Sequence, residues 1–205
     1  MPVDDDQLNL AQICRRSRVL GPGQRYGIWV QGCPFDCPGC LAQEWRAIRQ
    51  NRQVLISHLI ADVMTVPDLE GITISGGEPM LQAKACATLI EGLRRHRPGL
   101  TLIVFSGFRL KDLRANGRVD QLALLEAVDV LIDGGYEEEL NDNHGLRGSA
   151  NQCVHFLSSA YNSLGKAYFE SQPRRVELHL GSKSLFMVGI PPRGVDPAIR
   201  EILPS

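Results

Sequence analysis

Two hydrophobic rhythms take turns along the chain. Residues 26–31, Tyr-Gly-Ile-Trp-Val-Gln, form a short apolar run of strand length. Residues 54–64 follow a helical period, with Leu55, Leu59, Ile60 and Val63 on one face. The β-branched run Ile72, Thr73, Ile74 predicts another strand, and residues 81–95 a helix that stops before Pro98. Residues 100–105 and 128–132 are further apolar runs of strand length. Helix-like segments around 110–113 and 122–127 lie between them. Strands alternating with helices predict βα units around a mostly parallel sheet, open or partly barrelled.

The pattern changes near residue 158. Residues 158–171 are small and polar, and residues 176–180 then alternate with period two, placing Val176, Leu178 and Leu180 on one face. Gly181 to Ser184 reads as a turn into the apolar residues 185–190, a hairpin pattern ended by Pro191 and Pro192. The expectation is a core over residues 1–157 and a C-terminal extension over 158–205. The hairpin's apolar face would pack on the core or dock another chain.

Composition narrows the function. In 205 residues, 22 Lys+Arg face 23 Asp+Glu, a formal charge of -1 that argues against a nucleic-acid or anionic-membrane coat. No apolar run reaches the roughly 18–20 residues of a membrane span. The acidic start, Met1 to Asp6, lacks a signal-peptide pattern, so the expected location is cytoplasmic. In that compartment six cysteines are not expected to be a disulfide framework.

Three of them, Cys33, Cys37 and Cys40, stand at C-x3-C-x2-C directly after the first predicted strand. A tight loop of that length aims three thiolates at one point, as an iron–sulfur cluster requires. A structural zinc site wants four protein ligands, and no fourth Cys or His stands near, since His58 lies on a helix-like segment. Zinc and chance clustering stay open as alternatives. Cys14, Cys86 and Cys153 read as core residues.

Further motifs follow in order: Gly21-Pro22-Gly23-Gln24-Arg25, Gln31-Gly32-Cys33, Ser75-Gly76-Gly77-Glu78-Pro79, Phe105-Ser106-Gly107-Phe108, residues 129–134 ending in Asp133-Gly134, and Arg147-Gly148-Ser149-Ala150-Asn151-Gln152. Over roughly residues 8–157 this set resembles the radical S-adenosylmethionine (SAM) enzymes. More narrowly it is similar to the glycyl-radical activating enzymes of anaerobic ribonucleotide reductase. Gly39, where many radical SAM proteins carry an aromatic residue, resembles the activase branch.

The resemblance implies an α/β fold, a partial (βα) barrel of radical SAM type with a short C-terminal β-hairpin appendage. It implies a [4Fe–4S] cluster on Cys33, Cys37 and Cys40. SAM would bind beside Gly76, Gly77, Glu78, Pro79, Ser106, Gly107 and Asp133. An unpaired charge at the end of a buried strand is costly, so Asp133 needs a cofactor hydroxyl or a backbone donor. Gly76 and Gly77 would let backbone approach a ligand. Arg25 would pair with an acid beneath the cluster loop, and Asn151 and Gln152 would either touch cofactor or hold structure. Reductive cleavage of SAM to a 5′-deoxyadenosyl radical would then place a glycyl radical on a partner enzyme. A flavodoxin-like or ferredoxin-like protein would donate the electron. No nucleic-acid or membrane partner is expected. Two other readings stand beside this one: a small-molecule radical SAM enzyme such as a deazapurine synthase, and a non-catalytic metal-binding module. The deazapurine enzymes typically follow the third cysteine with Asp-Thr; this chain has Leu41-Ala42.

Overall fold

The computed structural model describes residues 6–180 and 185–195. Its main layer is a seven-stranded mixed sheet in the order β3-β1-β2-β4-β5-β6-β7. The strands are β1 (Gln7–Ser17), β2 (Arg25–Val30), β3 (Arg52–Leu55), β4 (Gly71–Gly76), β5 (Thr101–Ser106), β6 (Val130–Asp133) and β7 (Cys153–Phe156). The four central strands, β2, β4, β5 and β6, are parallel neighbours. Antiparallel pairings add β1 and β3 on one side and β7 on the other.

The predicted strands and helices of the centre are present, and β1, β3 and β7 were not foreseen. β1 hides its period because its register with β2 shifts twice, between Leu10 and Gln12 and between Cys14 and Ser17. A shift of that kind breaks period-two alternation. β3 occupies the first residues of the segment read as a helix, which begins only at Ile56.

One face of the sheet is covered by helices. These are α1 (Ile56–Met64), α2 (Ala83–His96), α3 (Leu110–Asn116) and α4 (Val119–Ala127). Tyr26, Ile28, Ile72, Ile74, Leu102, Val104 and Leu131 point into that layer and join Leu59, Leu89, Leu93 and Leu124 in one core.

The other face belongs to the C-terminal segment, which adds α5 (Gly165–Glu170), β8 (Val176–Leu180) and β9 (Leu185–Gly189). Tyr161 and Phe169 are buried against Ile103, Val130, Ile132 and Val154. Burying one such aromatic ring is worth roughly 1.5–3 kcal/mol. β8 and β9 pair antiparallel, while the predicted turn at Gly181 to Ser184 lies outside the described residues.

The face of this pair that packs is the opposite of the one expected. Leu178 is 50% exposed and Leu180 84% exposed. Inward instead come Phe186 and Val188 of β9, against Trp29 and Trp45. Their cross-strand partners on β8 are His179 and Glu177, which fit because each meets a polar group on the core. Glu177 accepts the Arg18 N–H, and His179 Nε2 lies 3.6 Å from Cys14 Sγ.

Arg25 anchors this arrangement from the N-terminal end of β2. It is fully buried and donates to Thr73 Oγ1 (2.6 Å), Tyr161 Oη (2.9 Å) and Thr101 Oγ1 (3.1 Å). Tyr161 in turn donates to Glu70 at 2.9 Å. The expected acid partner is therefore reached through a tyrosine of the C-terminal segment. It stands at the strand end away from the cysteine loop.

Candidate functional site

The cysteine loop leaves β2 after Val30 and is fixed by its own backbone. Gly32 and Cys33 donate their N–H groups to Trp45 and Arg46 carbonyls at 2.8 and 2.9 Å. The Gln31 side chain reaches the Ala47 carbonyl at 2.7 Å. Gly39 has φ +70° between Cys37 and Cys40, a conformation that favours glycine.

All three thiols line one cavity of about 710 Å³ at the C-terminal ends of the parallel strands. Burial pushes the Cys33 thiol up to about 11 and raises Cys40 as well, and charge on Cys40 and Cys37 adds to the rise at Cys33. Buried thiols that would repel one another as thiolates need a cation to ionise them. Among the described residues lining the cavity there is no fourth cysteine and no histidine. Three sulfurs without a fourth cysteine or histidine fit an iron–sulfur cluster with one open iron better than a closed tetrahedral zinc site.

The Gly-Gly-Glu turn forms the wall beside the thiols. Gly77 N–H donates to Val30 O at 2.7 Å and Glu78 N–H to Gly32 O at 2.8 Å, which locks the end of β4 onto the end of β2. A Cβ on Gly76, at φ +102°, would come within 2.6 Å of Val30 N, and one on Gly77 would collide with Gly32 O. These glycines are thus required by strand-to-strand approach, a tighter reason than the ligand approach expected of them.

Glu78 is the polar hub. Its carboxylate accepts from Met80 N (2.9 Å), Ser106 Oγ (2.9 Å) and Gly107 N (2.7 Å), so it ties the ends of β4 and β5 together. Burial nevertheless raises it to about 7, because three neutral donors do not replace water around a charge. Glu78, Ser106 and Gly107 all line the cavity. Gly107 faces Phe35 of the cysteine loop, whose ring would stand 2.5 Å from a Cβ there.

Two expected site residues lie elsewhere. Pro79 is buried at the start of a 3-10 turn behind Glu78 and does not line the cavity. Asp133 points to the helix side of the sheet, where it accepts the Leu110 N–H at the start of α3 at 2.6 Å. Strand parity explains this: Val130 and Ile132 take the inner face, so Leu131 and Asp133 take the other. Its neighbour Gly134 lines the cavity instead.

Asn151 and Gln152 hold that neighbour in place. Gln152 Nε2 donates to Gly134 O at 2.6 Å, and Asn151 Nδ2 donates to Gly135 O at 2.9 Å. Gln152 also reaches the cavity wall. Several lining residues carried no sequence motif, among them Tyr136, Trp45 and, from the C-terminal segment, Met187. Their only sequence signal was hydrophobicity.

Comparison with known proteins agrees with this geometry. Residues 19–155 match the model of a 4Fe-4S single cluster domain. The anaerobic ribonucleoside-triphosphate reductase-activating protein of Escherichia coli (strain K12) is 31% identical over 146 residues, 68% of this chain and 92% of the relative. The protein of the same name from Vibrio cholerae is 36% identical over 145 residues, 67% of this chain and 90% of the relative. A solved structure, QueE from Escherichia coli, shares 15% identity at a TM-score of 0.38 over 49% of this chain and 53% of its own, too slight a likeness to bear on function.

Proposed function

Because the chain belongs to the 4Fe-4S single cluster domain family and, within the radical SAM enzymes, to the anaerobic ribonucleoside-triphosphate reductase-activating proteins, we propose that it uses SAM to place a glycyl radical on a partner enzyme. The observation that carries this reading is the set of three half-buried thiols facing one cavity, with no fourth cysteine or histidine among the described residues that line it. Cys33, Cys37 and Cys40 would hold the cluster. When bound, a cluster of this type supplies the electron that cleaves SAM to methionine and a 5′-deoxyadenosyl radical.

The protein's part is to bind and orient. Glu78 presents a buried acid, short of positive charge, on the cavity wall; a methionine ammonium would supply that charge and hold the carboxylate ionised. Gly76, Gly77, Ser106 and Gly107 form the same wall, and Gly134 lines the same cavity as a further contact. Phe35, packed edge to face on Phe108 at 4.9 Å, stiffens the loop that carries the thiols. A flavodoxin-like or ferredoxin-like protein would deliver the electron.

The test is electron paramagnetic resonance on anaerobic protein mixed with SAM, a strong reductant and a glycyl-radical enzyme. A doublet on the partner is expected, together with about four irons per chain. Serine at any of Cys33, Cys37 or Cys40 should remove both. Vigorous SAM cleavage with small-molecule turnover and no protein radical would favour the deazapurine type of chemistry. Stoichiometric zinc in place of iron would sink both enzyme readings.

A further inference from the structure

On the side of the sheet away from the cavity, the register of β6 with β7 gathers three metal-binding side chains. Asp133 stands directly opposite Cys153, and His155 is two residues further along β7, opposite Leu131. Alternation therefore puts all three on one face of the strand pair. Their donor atoms, a carboxylate oxygen, a thiol sulfur and an imidazole nitrogen, lie within 4.8 Å of one another.

The group is not satisfied as it stands. Asp133 is 2% exposed, and its Oδ1 has no hydrogen-bond partner. His155 Nε2 lies 3.0 Å from Asp133 Oδ2 without the alignment of a hydrogen bond, and it too has no partner. Burying a bare carboxylate oxygen is costly unless a cation answers it. The cation nearby is Arg109, whose Nη1 is 3.6 Å from Asp133 Oδ1 and 3.8 Å from Cys153 Sγ. Its side chain is 34% exposed, and on leaving it would exchange its 2.8 Å bond from Nη1 to the Asn151 carbonyl for one to water.

We propose that Asp133, Cys153 and His155 form a mononuclear metal site, separate from the cluster, that takes zinc(II) in exchange for the Arg109 guanidinium. The ligand chemistry selects the ion. One thiolate, one imidazole and one carboxylate match zinc, whereas magnesium and calcium require oxygen ligands. Tetrahedral zinc with these bond lengths sets sulfur and nitrogen about 3.5 Å apart, so the donors need only side-chain adjustments of about 1 Å to converge.

Charge balances on both sides of the exchange. Without metal, Arg109 neutralises Asp133. With zinc, the Cys153 thiol releases its proton to solvent, the thiolate and the carboxylate neutralise the ion, and the guanidinium moves into water. Cys153 is exposed, which leaves an approach for the ion and a water as fourth ligand.

The experiment follows Cys153 in the full-length, cluster-loaded protein under anaerobic conditions. Alkylation of this thiol by iodoacetamide is read by peptide mass spectrometry as zinc chloride is titrated in, with magnesium chloride as control. An equivalent of zinc should protect Cys153, and magnesium should not. His155→Gln should raise the zinc needed by more than about 100-fold, since even losing a ligand's supporting partner typically costs about 10–100-fold. Arg109→Gln should lower it about tenfold or more, because the competing cation is gone. Alkylation that ignores zinc would overturn the proposal. So would an Arg109→Gln protein that needs more zinc, because Arg109 would then be part of the fold and not a placeholder.

Discussion

A carboxylate that accepts three hydrogen bonds ordinarily ionises with ease, but Glu78 accepts its three, all from neutral donors, while only 1% exposed. Its raised value, about 7 against 4.5 for a free group, has a direct consequence for stability. The folded state holds the proton more tightly than the unfolded chain. The stabilising contribution is therefore complete below about pH 4.5 and is lost as pH rises through about 7. Glu78→Gln removes this titration, so the wild-type protein should lose roughly 3 kcal/mol relative to the variant across that window. Urea denaturation of both proteins at about pH 5 and about pH 8 measures it; parallel pH profiles would refute the assignment. The cysteines and Glu78 were legible because their motifs are local, a few residues each. Of the two partners open to Asp133, a cofactor hydroxyl or a backbone donor, the structure gives it the Leu110 N–H, on the face that alternation with Val130 and Ile132 dictates.

At the level of elements, the parallel strands and their helices could be read from their apolar runs. β1 concealed itself behind two register shifts, and β7, only four residues long, was lost in the polar segment around it. The small, polar residues 158–171 gave no sign that Tyr161 would complete a buried network with Arg25 and Glu70. Such a role depends on where a side chain ends up in space, which no local pattern records. Tyr161→Phe deletes the hydroxyl that links the two charges, leaving a buried guanidinium short of an acceptor. It should cost about 1–3 kcal/mol in denaturant unfolding, with iron content unchanged. A change within about 0.5 kcal/mol, as for an ordinary surface substitution, would show that the link carries no weight. Truncation after Leu157 should do far more: it uncovers Ile103, Val130 and Ile132, and the shortened chain should aggregate or melt at a much lower temperature. A soluble truncated protein with an unchanged melting point would mean that the covered face tolerates water.

Across the whole molecule, the three parallel pairings join stretches far apart in sequence, such as Ile28 with Ile74 and Phe105 with Ile132. Strands of this kind meet only after long loops close, which places folding on the slow side for its size. The cysteine loop leaves the end of β2, and the bonds from Gly77 to Val30 and from Glu78 to Gly32 tie its base to the end of β4. Hydrogen exchange on cluster-free protein should accordingly find the β2 and β4 amides already protected. Free exchange that stops only when iron and sulfide are added would reverse this order. With the sheet formed first, the three thiols come together at the end of the slowest event in the chain's history. Cluster loading in the cell must then be timed to a finished fold, and a nascent chain offers its delivery machinery nothing to fill.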